Sequence, residues 1–203
     1  NFRVVGLLRL ASDRFYVQGA DDSEAWLTEG FPRRPEQLFG FQAVILGDLE
    51  ASLFSADQLA LLEEFVRTRG GGLLMLGGVN AFGPGGYGGT AMARLLPVQV
   101  ASTDPAYSDE PIQAQTTADA LAHPVMQILP DPEQNRRLWA SVPDLIGITP
   151  VSSVKPDASL LLVDRRGSRP VCAVQTYGAG RVAAFRSGGS WYWQVSMPAR
   201  DET

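Results

Sequence analysis

Between Phe41 and Gly89 the chain reads FQAVILGDLEASLFSADQLALLEEFVRTRGGGLLMLGGVNAFGPGGYGG: a strand, a helix, a second strand and then a glycine-rich loop. Ala43 to Leu46 is a short apolar run closed by Gly47, which suits a strand buried on both faces. Ser55 is a good N-cap, and Gln58 three residues later completes a capping-box pattern. Beyond it Leu59, Leu62 and Val66 recur at helical spacing with Leu61 and Phe65 beside them, leaving Asp57, Glu63, Glu64, Arg67 and Arg69 for water. Gly70, Gly71 and Gly72 end this amphipathic helix, and Leu73 to Leu76 is a second buried strand. Two strands joined through one covering helix make a parallel pair with a right-handed crossover. The loop from Gly77 to Gly89 then opens at the carboxyl edge, where open α/β sheets place their ligands.

A chain of 203 residues can bury one full core, so a single domain over residues 1–203 is expected. With 45% hydrophobic and 19% charged residues, disorder is disfavoured. No apolar run approaches the length of a bilayer crossing, so no direct membrane insertion by this segment is expected. A net charge of -5 with dispersed basic residues leaves nothing to neutralise phosphates, which speaks against a nucleic-acid partner. The single cysteine, Cys172, excludes an intrachain disulfide and a cysteine zinc site, and no cofactor is expected. The chain starts with Asn and ends in polar residues from Ala199 to Thr203, so it is expected to be a fragment of a longer protein.

Phe2 to Leu8 reads as a strand, followed over residues 9–42 by a long connection with one short helix around Ser23 to Thr28. After the central unit, Thr90 caps a short helix through Leu95 that Pro97 stops. Val98 to Ala101 and Ile112 to Gln115 read as short strands, and the proline-rich stretch from Thr117 to Pro156 as loops. Ser159 to Val163, Val171 to Gln175 and Arg181 to Phe185 are strands separated by RRGSRP and YGAG, short links that favour an antiparallel hairpin or meander. Ser190 to Trp193 begins a helix.

The combination of VILGDLEASLFSADQLALLEEFVRTRGGGLLMLGG with FGPGGYGGT, HPV, KPDASLLLV and YGAGRVAAFRSGGSWYW resembles the class I glutamine amidotransferase-like domains attached to large bacterial membrane proteins, often beside von Willebrand factor A-type segments. It is also similar to the trehalose-utilisation, or ThuA-like, domains. The resemblance implies a flavodoxin-like α/β fold, a three-layer sandwich with a mostly parallel sheet and a C-terminal antiparallel hairpin. It also implies a domain outside the cytoplasmic membrane, periplasmic or extracytoplasmic, in a membrane-anchored parent.

Working class I amidotransferases carry a nucleophilic Cys in a tight strand-to-helix elbow and pair it with a His and a Glu. The matching position here falls in Leu76 to Asn80, LGGVN, which holds no Cys, Ser or Thr. Cys172 lies in the apolar run VCAVQ, where a small buried hydrophobe is expected, and His123 precedes a proline. No catalytic triad is therefore expected, and the resemblance implies the fold without the hydrolysis.

The remaining candidates form a ligand-binding set at the carboxyl edge. The glycine loop, with Gly77 and Gly78 at its start, is expected to be a flexible or interaction loop or, alternatively, to cradle an anion on its backbone amides, with Asn80, Phe82 and Tyr87 as the pocket side chains. Asp48 and Glu50 stand just past a strand end, a place suited to a general base; without a nearby histidine no metal is expected. His123 resembles the HP of ThuA-like domains, although a structural histidine is the expected reading, and Arg186 ends the last strand near the same edge. Two functions compete. One is a non-catalytic interaction or ligand-sensing module, with other domains of the parent, a protein partner or a small polar ligand as its partners. The other is a ThuA-like enzyme on a carbohydrate or related polar substrate, which requires Asp48, Glu50 and His123 to converge on one pocket.

Overall fold

The computed structural model describes residues 3–11, 14–118, 120–166 and 169–196. Phe2 of the expected first strand, and the polar tail Ala199 to Thr203, lie outside them. Twelve strands and five α-helices are found among the described residues. The strands are β1 (Gly6–Ala11), β2 (Arg14–Gln18), β3 (Ala43–Leu46), β4 (Gly72–Leu76), β5 (Val98–Gln99), β6 (Ser108–Ile112), β7 (Ala114–Thr116), β8 (Leu145–Ile148), β9 (Ser153–Val154), β10 (Ser159–Asp164), β11 (Pro170–Tyr177) and β12 (Gly180–Phe185). The helices are α1 (Pro35–Leu38), α2 (Ala56–Arg67), α3 (Ala91–Leu95), α4 (Pro132–Ala140) and α5 (Trp191–Ser196).

Six strands make the central sheet in the order β3-β4-β12-β11-β10-β7, and three two-stranded antiparallel sheets accompany it. β3 and β4 run parallel with α2 between them, as the cap and helical stripe predict. The expectation that β3 is buried on both faces is corrected: it is an edge strand of the sheet, and Ile45 is 64% exposed. The Ser55 hydroxyl accepts from the Gln58 amide at 3.1 Å and the Gln58 side chain accepts from the Ser55 amide at 3.0 Å, so the capping box is closed.

The expectation of a mostly parallel sheet is corrected. β3, β4 and β12 are parallel, while the β12–β11, β11–β10 and β10–β7 pairings are antiparallel, so the sheet is mixed. Two causes act together. Tyr177 pairs with Gly180 across a two-residue turn in which Gly178 has a φ of 59°, and so short a link can only join antiparallel neighbours. The first apolar run, instead of entering the central sheet, folds back on β2 as a separate hairpin.

The stretch from Thr117 to Pro156 is also corrected: it is not all loop. It holds α4, β8 and β9, with Asp131 capping α4 through the Gln134 amide at 2.7 Å and Pro132 in the first turn. Each sheet face has its own apolar cluster. Leu73, Met75, Val182 and Ala184 meet α2 and α3 on one side, while Leu161, Cys172 and Phe185 meet Trp139 of α4 on the other. This is the layered architecture of an α/β sandwich, consistent with the flavodoxin-like class.

Candidate functional site

The three parallel strands β3, β4 and β12 deliver their carboxyl ends to one edge. The chain leaves them as Gly47-Asp48, Gly77-Gly78-Val79 and Arg186-Ser187-Gly188-Gly189. These segments enclose a pocket of about 370 Å³. Its floor is glycine backbone, because nothing larger fits between the strand ends. A Cβ on Gly77 would stand 2.1 Å from the Arg186 carbonyl oxygen, and one on Gly188 would stand 2.9 Å from the Gly77 carbonyl oxygen. The Gly77 amide uses the same closeness to donate to the Phe185 carbonyl at 2.7 Å.

Thr149, one residue past β8, locks the turn after β4. Its hydroxyl accepts from the Gly78 amide at 2.9 Å and donates to the Gly78 carbonyl at 2.8 Å, all in the buried interior. Arg186 supports Thr149 in turn. The Arg186 Nε donates to the Thr149 carbonyl at 2.8 Å and Nη1 donates to the Pro170 carbonyl. Burial, aided by the neighbouring charge of Arg169, brings the Arg186 guanidinium down to about 10, so it stays cationic at neutral pH. It is a strut beneath the floor and does not line the pocket.

Asp48 lines the pocket and holds the loop on the opposite wall, its Oδ1 accepting from the Asn80 amide at 2.5 Å. The absence of a Cβ on Gly78 makes room for it, since that atom would lie 2.3 Å from the Asp48 Cγ. Tyr107, Ile146, Trp191 and Tyr192 complete the walls. Tyr107 reaches over the β6–β8 pair against Gly147, where a Cβ would fall 1.7 Å from the phenol oxygen. Burial, then the charges of Asp109 and Asp48, push its hydroxyl pKa up.

Trp193 anchors α5: its indole donates to the Pro143 carbonyl at 2.7 Å and stacks edge-on with Trp139 and Phe185. Trp191 and Tyr192 are left open beside the pocket, with Trp191 63% exposed.

Of the residues singled out in the sequence, Asp48, Gly77 and Gly78 come together in this pocket. Asn80 touches it only by giving its amide to Asp48. Glu50 precedes the 3-10 turn Ala51–Leu53 and faces solvent, and His123 caps the 3-10 turn Pro124–Met126, its Nδ1 accepting from the Val125 amide at 3.3 Å. Asp48, Glu50 and His123 therefore do not share a pocket, as the ThuA-like enzyme required.

Phe82 and Tyr87 are core residues, fully buried. Tyr87 donates to the Leu49 carbonyl at 2.8 Å, and Phe82 takes a left-handed φ of 54°, an uncommon conformation for a bulky residue, at the start of a tight coil. In that coil the amides of Gly85, Gly86 and Tyr87 donate to the carbonyls of Ala81, Gly83 and Phe82, so they are already committed within the loop. The glycine loop is thus a folded wall pinned by two aromatic rings and not an open anion cradle.

No nucleophile faces the pocket from the turn after β4. Gly78 carries no side chain, and the next residue, Val79, is 59% exposed at the pocket wall. Cys172 is only 6% exposed, packed in β11, and burial pushes its thiol up to about 12.

The sequence profile of a family described as "Putative glutamine amidotransferase" matches residues 14–199. The chain belongs to this glutamine amidotransferase-like family. Two solved structures have the same fold. The cytoplasmic protein STM1381 from Salmonella typhimurium LT2 superposes with a TM-score of 0.63 at 22% identity, over 94% of this chain and 86% of that one. The cytoplasmic protein STM3548 from Salmonella typhimurium gives 0.61 at 20% identity, over 91% and 83%. No curated protein matches the chain.

Within this amidotransferase-like frame the sequence reading missed Tyr107, Ile146 and Thr149, which reach the site from the segment between β5 and β9. They carry no local signature, because their role comes from pairing across the fold. The glycine pair 188–189 with the aromatic run after it was visible as SGGSWYW.

Proposed function

We propose that this chain is a non-catalytic glutamine amidotransferase-like domain, a ligand-sensing or interaction module of a larger, membrane-associated bacterial protein, on the flavodoxin-like three-layer sandwich of that class. One observation carries the reading: the turn after β4 presents Gly78 and Val79 to the pocket, while the thiol of Cys172 is sealed in the sheet. Hydrolysis of the glutamine amide by a covalent route needs a nucleophile within reach of the carbonyl carbon and a base to activate it. Neither Val79 nor Asp48 is such a nucleophile-base pair, and His123 serves a structural turn. What remains is an aromatic-walled pocket on a rigid glycine floor, suited to holding a ligand and passing its presence to neighbouring domains.

The test is ammonia release from glutamine by the purified chain, with and without an electrophilic glutamine analogue. The expected result is background release and no covalent adduct. Release that a single substitution in this chain abolishes would overturn the reading. Sequencing the whole gene product for flanking hydrophobic spans or an A-type domain tests the membrane-associated parent.

A further inference from the structure

Among the described residues, the carboxyl-edge pocket has one charged side chain in its wall, the carboxylate of Asp48. The buried cation Arg186, which does not line the pocket, spends Nε and Nη1 on the carbonyls of Thr149 and Pro170. Around Asp48 stand three aromatic side chains, Tyr107, Trp191 and Tyr192, with the exposed aliphatic groups of Val79 and Ile146. Trp191 and Tyr192 meet edge to face with centroids 6.0 Å apart, so their faces are not stacked on each other.

A carboxylate beside aromatic rings and apolar groups is complementary to one kind of ligand head. A positive charge gains from Asp48 and from the negative faces of the rings, and alkyl groups on that charge gain from desolvating Val79 and Ile146. An anion meets Asp48 with no counter-charge among the described wall residues. Free glutamine brings an α-carboxylate that finds no cation there. We propose that this pocket binds an organic cation, an alkylated ammonium group, with Asp48 as its counter-ion and Trp191 as its principal aromatic wall. The inference rests on the pocket being a binding site and not a hydrolytic one.

The ammonium group could belong to a small molecule or to a methylated lysine of a protein. Both are tested by titration calorimetry with choline, with 3,3-dimethylbutan-1-ol as the uncharged isostere, and with a short peptide carrying trimethyllysine. Choline or the peptide is expected to bind, the tighter of the two identifying the source, with the uncharged alcohol weaker by about tenfold or more, a factor of 1.4 kcal/mol. Asp48→Asn keeps an oxygen for the Asn80 amide and removes only the charge, so it should weaken the cation about tenfold and leave the alcohol unchanged. Trp191→Ala should weaken the cation by more than the alcohol, because it removes a cation–π contact as well as apolar surface, and Trp191→Phe should restore part of the affinity, with circular dichroism confirming that each variant is folded.

Equal binding of choline and its isostere, or an Asp48→Asn variant that binds the cation as well as the parent, overturns the proposal. So does failure of both cations to bind. If the cations fail while glutamine remains untouched, only this inference falls. If ammonia is released from glutamine, the non-catalytic reading falls with it.

Discussion

Thr149 holds both backbone groups of Gly78, accepting from its amide at 2.9 Å and donating to its carbonyl at 2.8 Å, although 71 residues separate the two in the chain. The Gly78 carbonyl has a second, longer partner in the Ala81 amide at 3.4 Å; Thr149 is the partner found for the Gly78 amide. Thr149→Val preserves the shape and leaves that buried amide without an acceptor, so it should lower stability by about 1–3 kcal/mol in urea unfolding. Thr149→Ser keeps the hydroxyl and should lose clearly less. Equal losses in the two variants would mean that packing, and not the hydroxyl, holds the turn.

The two floor glycines should differ when given a methyl group. Gly77→Ala drives a Cβ to 2.1 Å from the backbone carbonyl of Arg186, which β12 fixes, whereas Gly78→Ala meets Asp48, whose carboxylate can rotate away but whose Cβ, 2.6 Å off, moves only with its backbone. Gly77→Ala is expected to cost roughly 3 kcal/mol or to prevent folding, and Gly78→Ala less, about 2 kcal/mol, because the loop that carries Asp48 must shift to clear its Cβ. Thermal unfolding ranks them, and the reverse order would contradict the packing described.

Cys172 should behave as a buried hydrophobe. Ellman's reagent is expected to label the native protein only as fast as it opens, while Val79→Cys should label at once from the exposed turn and still release no ammonia from glutamine. The pH dependence follows from the raised thiol pKa. In the unfolded chain the thiol ionises near its ordinary value of 9.0, and in the fold near 12, so between these the unfolded state has shed a proton that the native state keeps. Stability therefore falls as pH rises above about 9, by at most about 1.4 kcal/mol per pH unit from this group. Comparing Cys172→Ala with the parent from pH 8 to pH 10.5 isolates that slope, which should be absent below pH 9.

Glu63 gives the opposite, acid-side linkage. Its carboxylate accepts from Arg94 Nη2 at 2.7 Å and from the Tyr177 hydroxyl at 2.6 Å, tying α2 to the helix α3 and to β11. The Arg94 bond, helped by Tyr177 and opposed by burial, holds the Glu63 pKa below its ordinary 4.5. The stability it contributes is present above the unfolded value and is lost as pH falls through the lower folded value. The difference between the parent and Glu63→Gln should thus be constant above about pH 5 and shrink below pH 4.5. High salt should also reduce it, since Arg94 is solvent-exposed. A difference that grows on acidification would refute the assignment.

Local patterns carried the central unit. The apolar runs of β3 and β4, the Ser55–Gln58 box and the Leu59, Leu62, Val66 stripe each depend on neighbours within a few residues, and each forms the element read from it, although β3 takes the sheet edge with Ile45 exposed instead of being buried on both faces. The stretch that forms α4, PEQNRRLWA, is mostly polar, with Trp139 and Asn135 as its buried residues, so too few apolar side chains mark its inner face for it to stand out from a loop. Asp131 followed by Pro132 was the readable start signal. The candidate site was half legible. Asp48, Gly77 and Gly78 follow strand ends and could be placed by topology, but Phe82 and Tyr87 look like pocket residues in a glycine loop until the coil closes on them.

The sequence alone determined the parallel strand–helix–strand unit, the edge at which its loops emerge and the absence of a reactive side chain in the turn after β4, because those are matters of composition and short-range periodicity. Only the tertiary structure decided that the sheet is mixed, that Arg186 works beneath the floor, and that Tyr107, Ile146 and Trp191 close around Asp48. Contacts between segments distant in the chain depend on strand order and register, and no local run of residues encodes them.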